Sequence, residues 1–132
     1  MSTLRLTTIS NQGGTASVPS DTVINGTAKA WVNFNGTGTV AIRASFNVSS
    51  ITDNGTGDYS VNFTNAFADA NYSVVSSCSC ASGGTYSGSF NPQTQTGTSL
   101  SAPTTTAVRG VILNYNGTAY TDPVYVNISV FR

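Results

Sequence analysis

Residues 28–63 read AKAWVNFNGTGTVAIRASFNVSSITDNGTGDYSVNF, and this stretch decides the fold. Val40, Ile42, Ala44, Phe46 and Val48 alternate with Ala41, Arg43, Ser45 and Asn47, the period of a half-buried strand. The run from Val40 to Ile51 is long for one strand and is expected to bend. Upstream, Ala28, Ala30, Val32 and Phe34 share one face, with Trp31 on the other. Asn35-Gly36-Thr37-Gly38 and Asn54-Gly55-Thr56-Gly57 supply the positive-φ residues that tight reversals need. Tyr59, Val61 and Phe63 then resume the alternation, so the stretch predicts strand, turn, strand, turn, strand.

Outward from it, the pattern repeats in shorter pieces. Leu4–Ile9 is a predicted first strand, followed by a loop through Asn11, Gly13 and Gly14 and an irregular passage at Pro19 and Asp21. Tyr72–Ser77, Tyr86–Phe90, Val108–Tyr115 and Val124–Phe131 are further strands, and residues 91–106 read as an exposed loop. Ala66–Ala70 is the only predicted helical turn, too short to stand alone. Many strands without crossover helices predict an all-β domain, an antiparallel β-sandwich of jelly-roll-like type. The whole chain is one domain, with 1–27 as an extended lead-in and 28–132 as the sandwich. In the last strand Val124, Val126, Ile128 and Val130 face the core, leaving Tyr125, Asn127, Ser129 and Phe131 outside. Trp31, Tyr125 and Phe131 thus lie opposite faces that are already apolar, which predicts cover by a loop or by a neighbouring subunit.

Composition narrows the chemistry. Of 132 residues 39% are hydrophobic and 8% charged, with no His, no Glu and a net charge of zero. A basic surface for nucleic acid is not expected, nor is membrane insertion, since no 18-residue apolar span occurs. Met1–Gly14 holds no signal-peptide core, so the expected product is made in the cytoplasm. Without His, a Ser-His-Asp or Cys-His nucleophile cannot be built, and an enzyme is not expected. Asp53 and Asp58 are the one pair resembling a glycosidase constellation, and both are expected instead to hold the turn between them. The DNGTGD string lacks the bidentate Glu of an EF-hand, so calcium is disfavoured.

Cys78-Ser79-Cys80 cannot complete a zinc site within one chain, and strand geometry separates the two Cα atoms by about 6.5 Å. Free thiols packed as small hydrophobes are expected, with no metal or cofactor. Asn-x-Ser/Thr triplets at Asn25, Asn35, Asn47, Asn54, Asn62, Asn71, Asn116 and Asn127 read as products of composition. What remains is neutral binding chemistry. Tyr86, Tyr115, Asn116, Tyr120 and Asp122 combine aromatic faces with polar groups in loop-like sequence, the mixture that holds a sugar. The alternative is that these tyrosines pack along strand edges with their hydroxyls in water.

The strings AWVNFNG, FNVSSITDNGTGDY and VNFTNAF…ANYSV, preceded by LRLTTISNQGGTASVPSDTV, resemble a tail-fibre and adhesion module of tailed bacteriophages over roughly residues 3–76. The resemblance implies a virion-borne, trimeric, β-rich attachment module. Its expected partners are copies of itself, other virion proteins and a host-surface glycan or receptor. It also implies that residues 1–27 serve virion attachment or trimer contact. It favours Trp31, Tyr125 and Phe131 as subunit-interface residues. A head-decoration or other purely structural virion protein is the alternative.

Overall fold

Alternating β-branched and aromatic residues are stabilised in a strand where a second layer receives their apolar side. From Ala30 onward the chain supplies that layer twice. The computed structural model describes residues 3–79, 87–92, 95–96, 99–100, 102–114 and 116–132. The lead-in contains β1 (Thr8–Ser10), β2 (Ser17–Pro19) and a short helix, α1 (Ser20–Gly26). Then follow β3 (Ala30–Asn35), β4 (Ala41–Phe46), β5 (Val48–Gly55), β6 (Asp58–Phe63) and β7 (Ser73–Cys78). The chain ends with β8 (Ser87–Pro92), β9 (Gln95–Thr96), β10 (Ser99–Leu100), β11 (Ala107–Asn114) and β12 (Val126–Phe131).

Two four-stranded sheets, ordered β4-β3-β12-β7 and β5-β6-β11-β8, make up the body. Every pairing in both is antiparallel. Their inner faces share one hydrophobic cluster. Ala30, Val32, Phe34, Val126, Ile128 and Val130 come from the first sheet; Val48, Tyr59, Val61, Phe63, Phe90, Val108 and Ile112 come from the second. The rings of Phe34 and Tyr59 meet edge-on across the layers, 5.2 Å between centroids. Gly110 is required beneath Phe90, because a Cβ there would stand 2.5 Å from the ring.

Several expectations change. The long run from Val40 to Ile51 is two strands in different sheets. Asn47 breaks it with a φ of 55°, a left-handed conformation that Asn tolerates better than most residues. Its side chain fixes the corner: Nδ2 donates to the Lys29 carbonyl (3.1 Å), and Oδ1 accepts from the Asn65 amide (2.8 Å). As an edge strand, β4 has no buried residue, and Ile42 and Phe46 are exposed. Only Val40 and Val48, at the ends of that alternating run, pack on the core.

The lead-in holds a helix that the irregular reading missed, while Ala66–Ala70 forms no helical turn. Phe67 instead packs its ring on Phe63 and Tyr72. Between residues 91 and 106, β9 and β10 form a two-stranded hairpin. The jelly-roll expectation fails in connectivity. A Greek key runs through three hairpin-connected strands. Here β3–β4, β5–β6 and β8–β11 are single in-sheet pairs, and the chain changes sheet after each of them.

Candidate binding surface

Two regions carry the residues singled out from the sequence. The first is the end of the body formed by the β5–β6 turn and the β11–β12 connection. Gly57, at φ 65°, sits where a Cβ would meet the Ile112 carbonyl at 2.6 Å. The approach lets the Gly57 carbonyl accept from the Ile112 amide (2.7 Å) and its own amide donate to Asp122 Oδ1 (2.6 Å). The buried Tyr59 hydroxyl donates to the same oxygen at 2.6 Å, with the Gly36 carbonyl 2.9 Å away. Burial, followed by the bond to Asp122, holds the Tyr59 hydroxyl far above the ordinary tyrosine range, so it stays protonated.

Asp122 was expected to touch a ligand, yet its Oδ1 is committed to joining the two loops. Asn116 Oδ1 accepts from the Thr118 hydroxyl (2.7 Å) in a local turn. Tyr120 forms a bridge to Leu113 and is 44% exposed, leaving its ring available. Tyr86 and Tyr115 lie outside the described residues, as does Cys80.

The acidic pair resolves into two separate structural roles. Asp53 Oδ1 accepts from the Gly55 amide at 2.9 Å, the turn-holding role expected for it. Asp58 is buried and takes a two-pronged bond from Arg109, at 2.9 and 2.6 Å, rather than the turn amides. That pairing raises the Arg109 pKa. Cys78 is a free thiol packed against the core, and burial pushes its pKa up to about 11. It is therefore an unreactive small hydrophobe.

The second region is the outer face of β4-β3-β12-β7, where side chains form three rows, the first two aligned by strand register. One row runs Phe46–Trp31–Ser129–Val75, with Phe46, Trp31 and Val75 exposed by 55%, 40% and 59%. Next comes a row of neutral polar groups. Asn33 Nδ2 donates to Asn127 Oδ1 (2.5 Å), and Asn127 Nδ2 donates to Ser77 Oγ (3.3 Å). Beyond it Arg43 stacks over the exposed Tyr125 ring, 4.1 Å from guanidinium carbon to centroid. Four residues along the chain separate Tyr125 from Ser129, about 13 Å of extended backbone. Phe131 lies at the far end of this face, opposite Ser73 and half-buried. No loop among the described residues buries Trp31 or Tyr125. The sequence marked Trp31, Tyr125 and Phe131 by their side of the strand. It did not mark the Asn33–Asn127 contact, which follows from pairing residues 94 apart.

Where this face meets the Asn47 corner, a depression of about 440 Å³ opens between Lys29, Phe46, Asn65 and Arg132. Arg132 pairs there with Asp69, and this guanidinium, helped by the Asn71 amide, lowers the Asp69 pKa to about 2. Among the described residues, no helix is long and apolar enough to cross a membrane. No protein-family model, curated protein or solved structure matches the chain.

Proposed function

We propose that the chain is a virion structural protein: a trimeric β-sandwich module of a phage tail fibre or spike that holds a host-surface glycan without cutting it. The outer sheet face carries this reading. Exposed Trp31 and Phe46 at one end and Tyr125 at the other flank an amide and hydroxyl row, on a chain with no net charge. A sugar offers its CH-rich face to an aromatic ring and its hydroxyls to neutral amides, and the strip supplies both along one line. This moves Trp31 and Tyr125 from the subunit contact expected of them to ligand contact, with Tyr120 as a second exposed ring. The resemblance of residues 3–76 to phage adhesion modules supplies the setting: synthesis in the host cytoplasm and assembly into the particle. The engagement of Asp53 in the turn and of Asp58 in the ion pair supports a reading of binding without cleavage.

Purified protein is expected to bind host cells or an immobilised host polysaccharide with little dependence on salt, since stacking and neutral hydrogen bonds leave little charge to screen. Trp31→Ala and Tyr125→Ala should each weaken binding about five- to tenfold, the size of a lost aromatic contact, with the thermal unfolding midpoint preserved. Undiminished binding by both variants refutes the sheet-face site. Absence of any host affinity, with every copy enclosed by other proteins in a particle reconstruction, replaces attachment by the head-decoration reading.

A further inference from the structure

The depression beside the Asn47 corner concentrates positive charge on a chain that has little of it. Of the five Lys and Arg residues, Lys29 and Arg132 both line the depression, and no Asp does. Arg132 gives Nε and Nη2 to Asp69, which leaves Nη1 without a partner among the described residues. Lys29 is half-buried, and its ammonium donates to the Ile24 carbonyl and, at 2.9 Å, to the Thr27 carbonyl. An ammonium has three donors, so one is left over. The ion pairs among the described residues are Arg109–Asp58 and Arg132–Asp69, and neither gives Lys29 a carboxylate. A cation drawn partly out of water and held by neutral carbonyls lacks a counter-charge.

The walls around it are fixed in advance. The Lys29 amide donates to the Val130 carbonyl at 2.8 Å, and the Asn47 side chain ties the Lys29 carbonyl to the Asn65 amide. The Phe67 ring is seated on Phe63, 4.6 Å between centroids. Asn65 Nδ2 donates to Asn47 Oδ1 (3.1 Å), which leaves Asn65 Oδ1 open among the described residues to accept a hydroxyl. Such walls lose little freedom when a ligand arrives. Phe46 belongs to two places at once. It lines the depression, and it lies opposite Trp31 in the register of β3 and β4. A chain of sugars lying along the aromatic row therefore reaches the depression at its Phe46 end.

We propose that the depression is a subsite for an acidic sugar unit, its carboxylate accepting from Lys29 Nζ and Arg132 Nη1, its ring against Phe46 and Phe67, and a hydroxyl donating to Asn65 Oδ1. The proposal rests on the glycan reading of the outer face and adds to it a charge requirement at one unit. A neutral sugar in the same place leaves Lys29 unpaired. Partly buried pairs are screened less than open ones, so one such contact keeps the salt dependence of binding small.

Calorimetry on the full chain tests it with oligosaccharides offered in matched pairs. One member ends in a uronic acid; the other is the same molecule with that carboxyl reduced to the alcohol. The acid should bind about tenfold more tightly than the alcohol, the scale of charge-assisted hydrogen bonds. Lys29→Met should bring the two forms close together, whereas Arg5→Gln, which removes a positive charge elsewhere, should keep the difference. Trp31→Ala should weaken both forms alike. Lys29 also holds the Ile24 and Thr27 carbonyls, so the comparison on the wild type, which needs no variant, is decisive by itself. Equal binding of the two forms overturns the subsite and leaves the outer-face reading standing, and an undiminished acid preference in Lys29→Met does the same. A sugar phosphate that outcompetes the uronate overturns the carboxylate assignment. Binding of neither member of any pair overturns the glycan reading, and the subsite with it.

Discussion

The lead-in and the two-sheet body are written in the same letters but reach opposite ends. Both mix aliphatic residues with Ser, Thr, Asn and Gly, and both alternate: Leu4, Leu6 in one, Tyr59, Val61, Phe63 in the other. In the body those side chains are 0%, 1% and 7% exposed; Leu4 and Leu6 are 81% and 52% exposed. The difference is a facing layer. β6 lies between β5 and β11 in its sheet, and its inner side meets β3 and β12 across the core. The β1–β2 hairpin is a two-stranded sheet with α1 beside it and no buried residue. Alternation thus specifies a face, and topology decides whether the face is filled.

The comparison breaks most visibly on deletion of one large side chain from each region. Phe34→Ala should lower the unfolding free energy of the body by about 3–5 kcal/mol, the usual loss for a buried aromatic. Ile24→Ala should leave the body within about 0.5 kcal/mol of wild type, as surface changes do. Chemical denaturation followed by Trp31 fluorescence reads both. Comparable losses would mean that the lead-in packs on the body.

A smaller effect is expected where the chain crosses between the sheets. Asn47→Ala loses the bonds to Lys29 and Asn65 and also forces a Cβ-bearing residue without a local polar group into a left-handed conformation. The expected loss is about 2–3 kcal/mol. Asn47→Gly restores the backbone freedom but not the bonds, and should recover roughly half of it. If Gly and Ala are equally damaging, the backbone conformation carries none of the cost.

This corner also marks how far the sequence could be read. The strands of the body, their inward residues and the outward position of Trp31 were legible, because a period of two is a local property. The division of residues 40–51 was not. Val40 to Val48 keep perfect alternation, and the break is a single Asn whose φ the apolar pattern does not encode. The helix was missed because β-branched residues obscure it, although Ser20 and Asp21 open its first turn and Gly26 ends it, residues of the kind that mark helix starts and stops. The candidate surface was half legible. Aromatic rings could be assigned to a side, but the Asn33–Asn127–Ser77 row depends on the pairing of β3, β12 and β7. The structural role of Asp122 was hidden for the same reason, since its partners Gly57 and Tyr59 are more than 60 residues away.

Tyr59→Phe sharpens that last point within the body. The ring stays, so packing is kept, while Asp122 and the Gly36 carbonyl lose a buried donor. The expected loss is about 1–2 kcal/mol, less than for either change above. Amide hydrogen exchange should rise at Gly57, which also bonds Asp122 Oδ1, and stay unchanged at Trp31 on the outer face of the other sheet. No change at Gly57 would show that the two loops hold without the shared carboxylate.

The smallest expected effect lies at the seam where lead-in and body meet. Arg132, at the end of β12, pairs with Asp69 in the connection after β6, beside the Lys29 that follows α1. The folded pKa of Asp69, about 2, lies below its ordinary value of 3.8. A lowered carboxylate pKa means that the folded state binds the proton less readily than the unfolded chain. The resulting stabilisation is complete above the ordinary value and disappears as pH falls through the folded one. Both side chains are more than a third exposed, at 37% and 41%, so solvent screens the pair and its contribution is modest. The unfolding midpoint of wild type should therefore fall more than that of Asp69→Asn between about pH 4 and pH 2, a window set by the two pKa values. The two curves should run parallel above it. Raising the salt concentration should shrink the difference, because an exposed pair is screened. Parallel curves throughout would mean that the pair does not persist in solution.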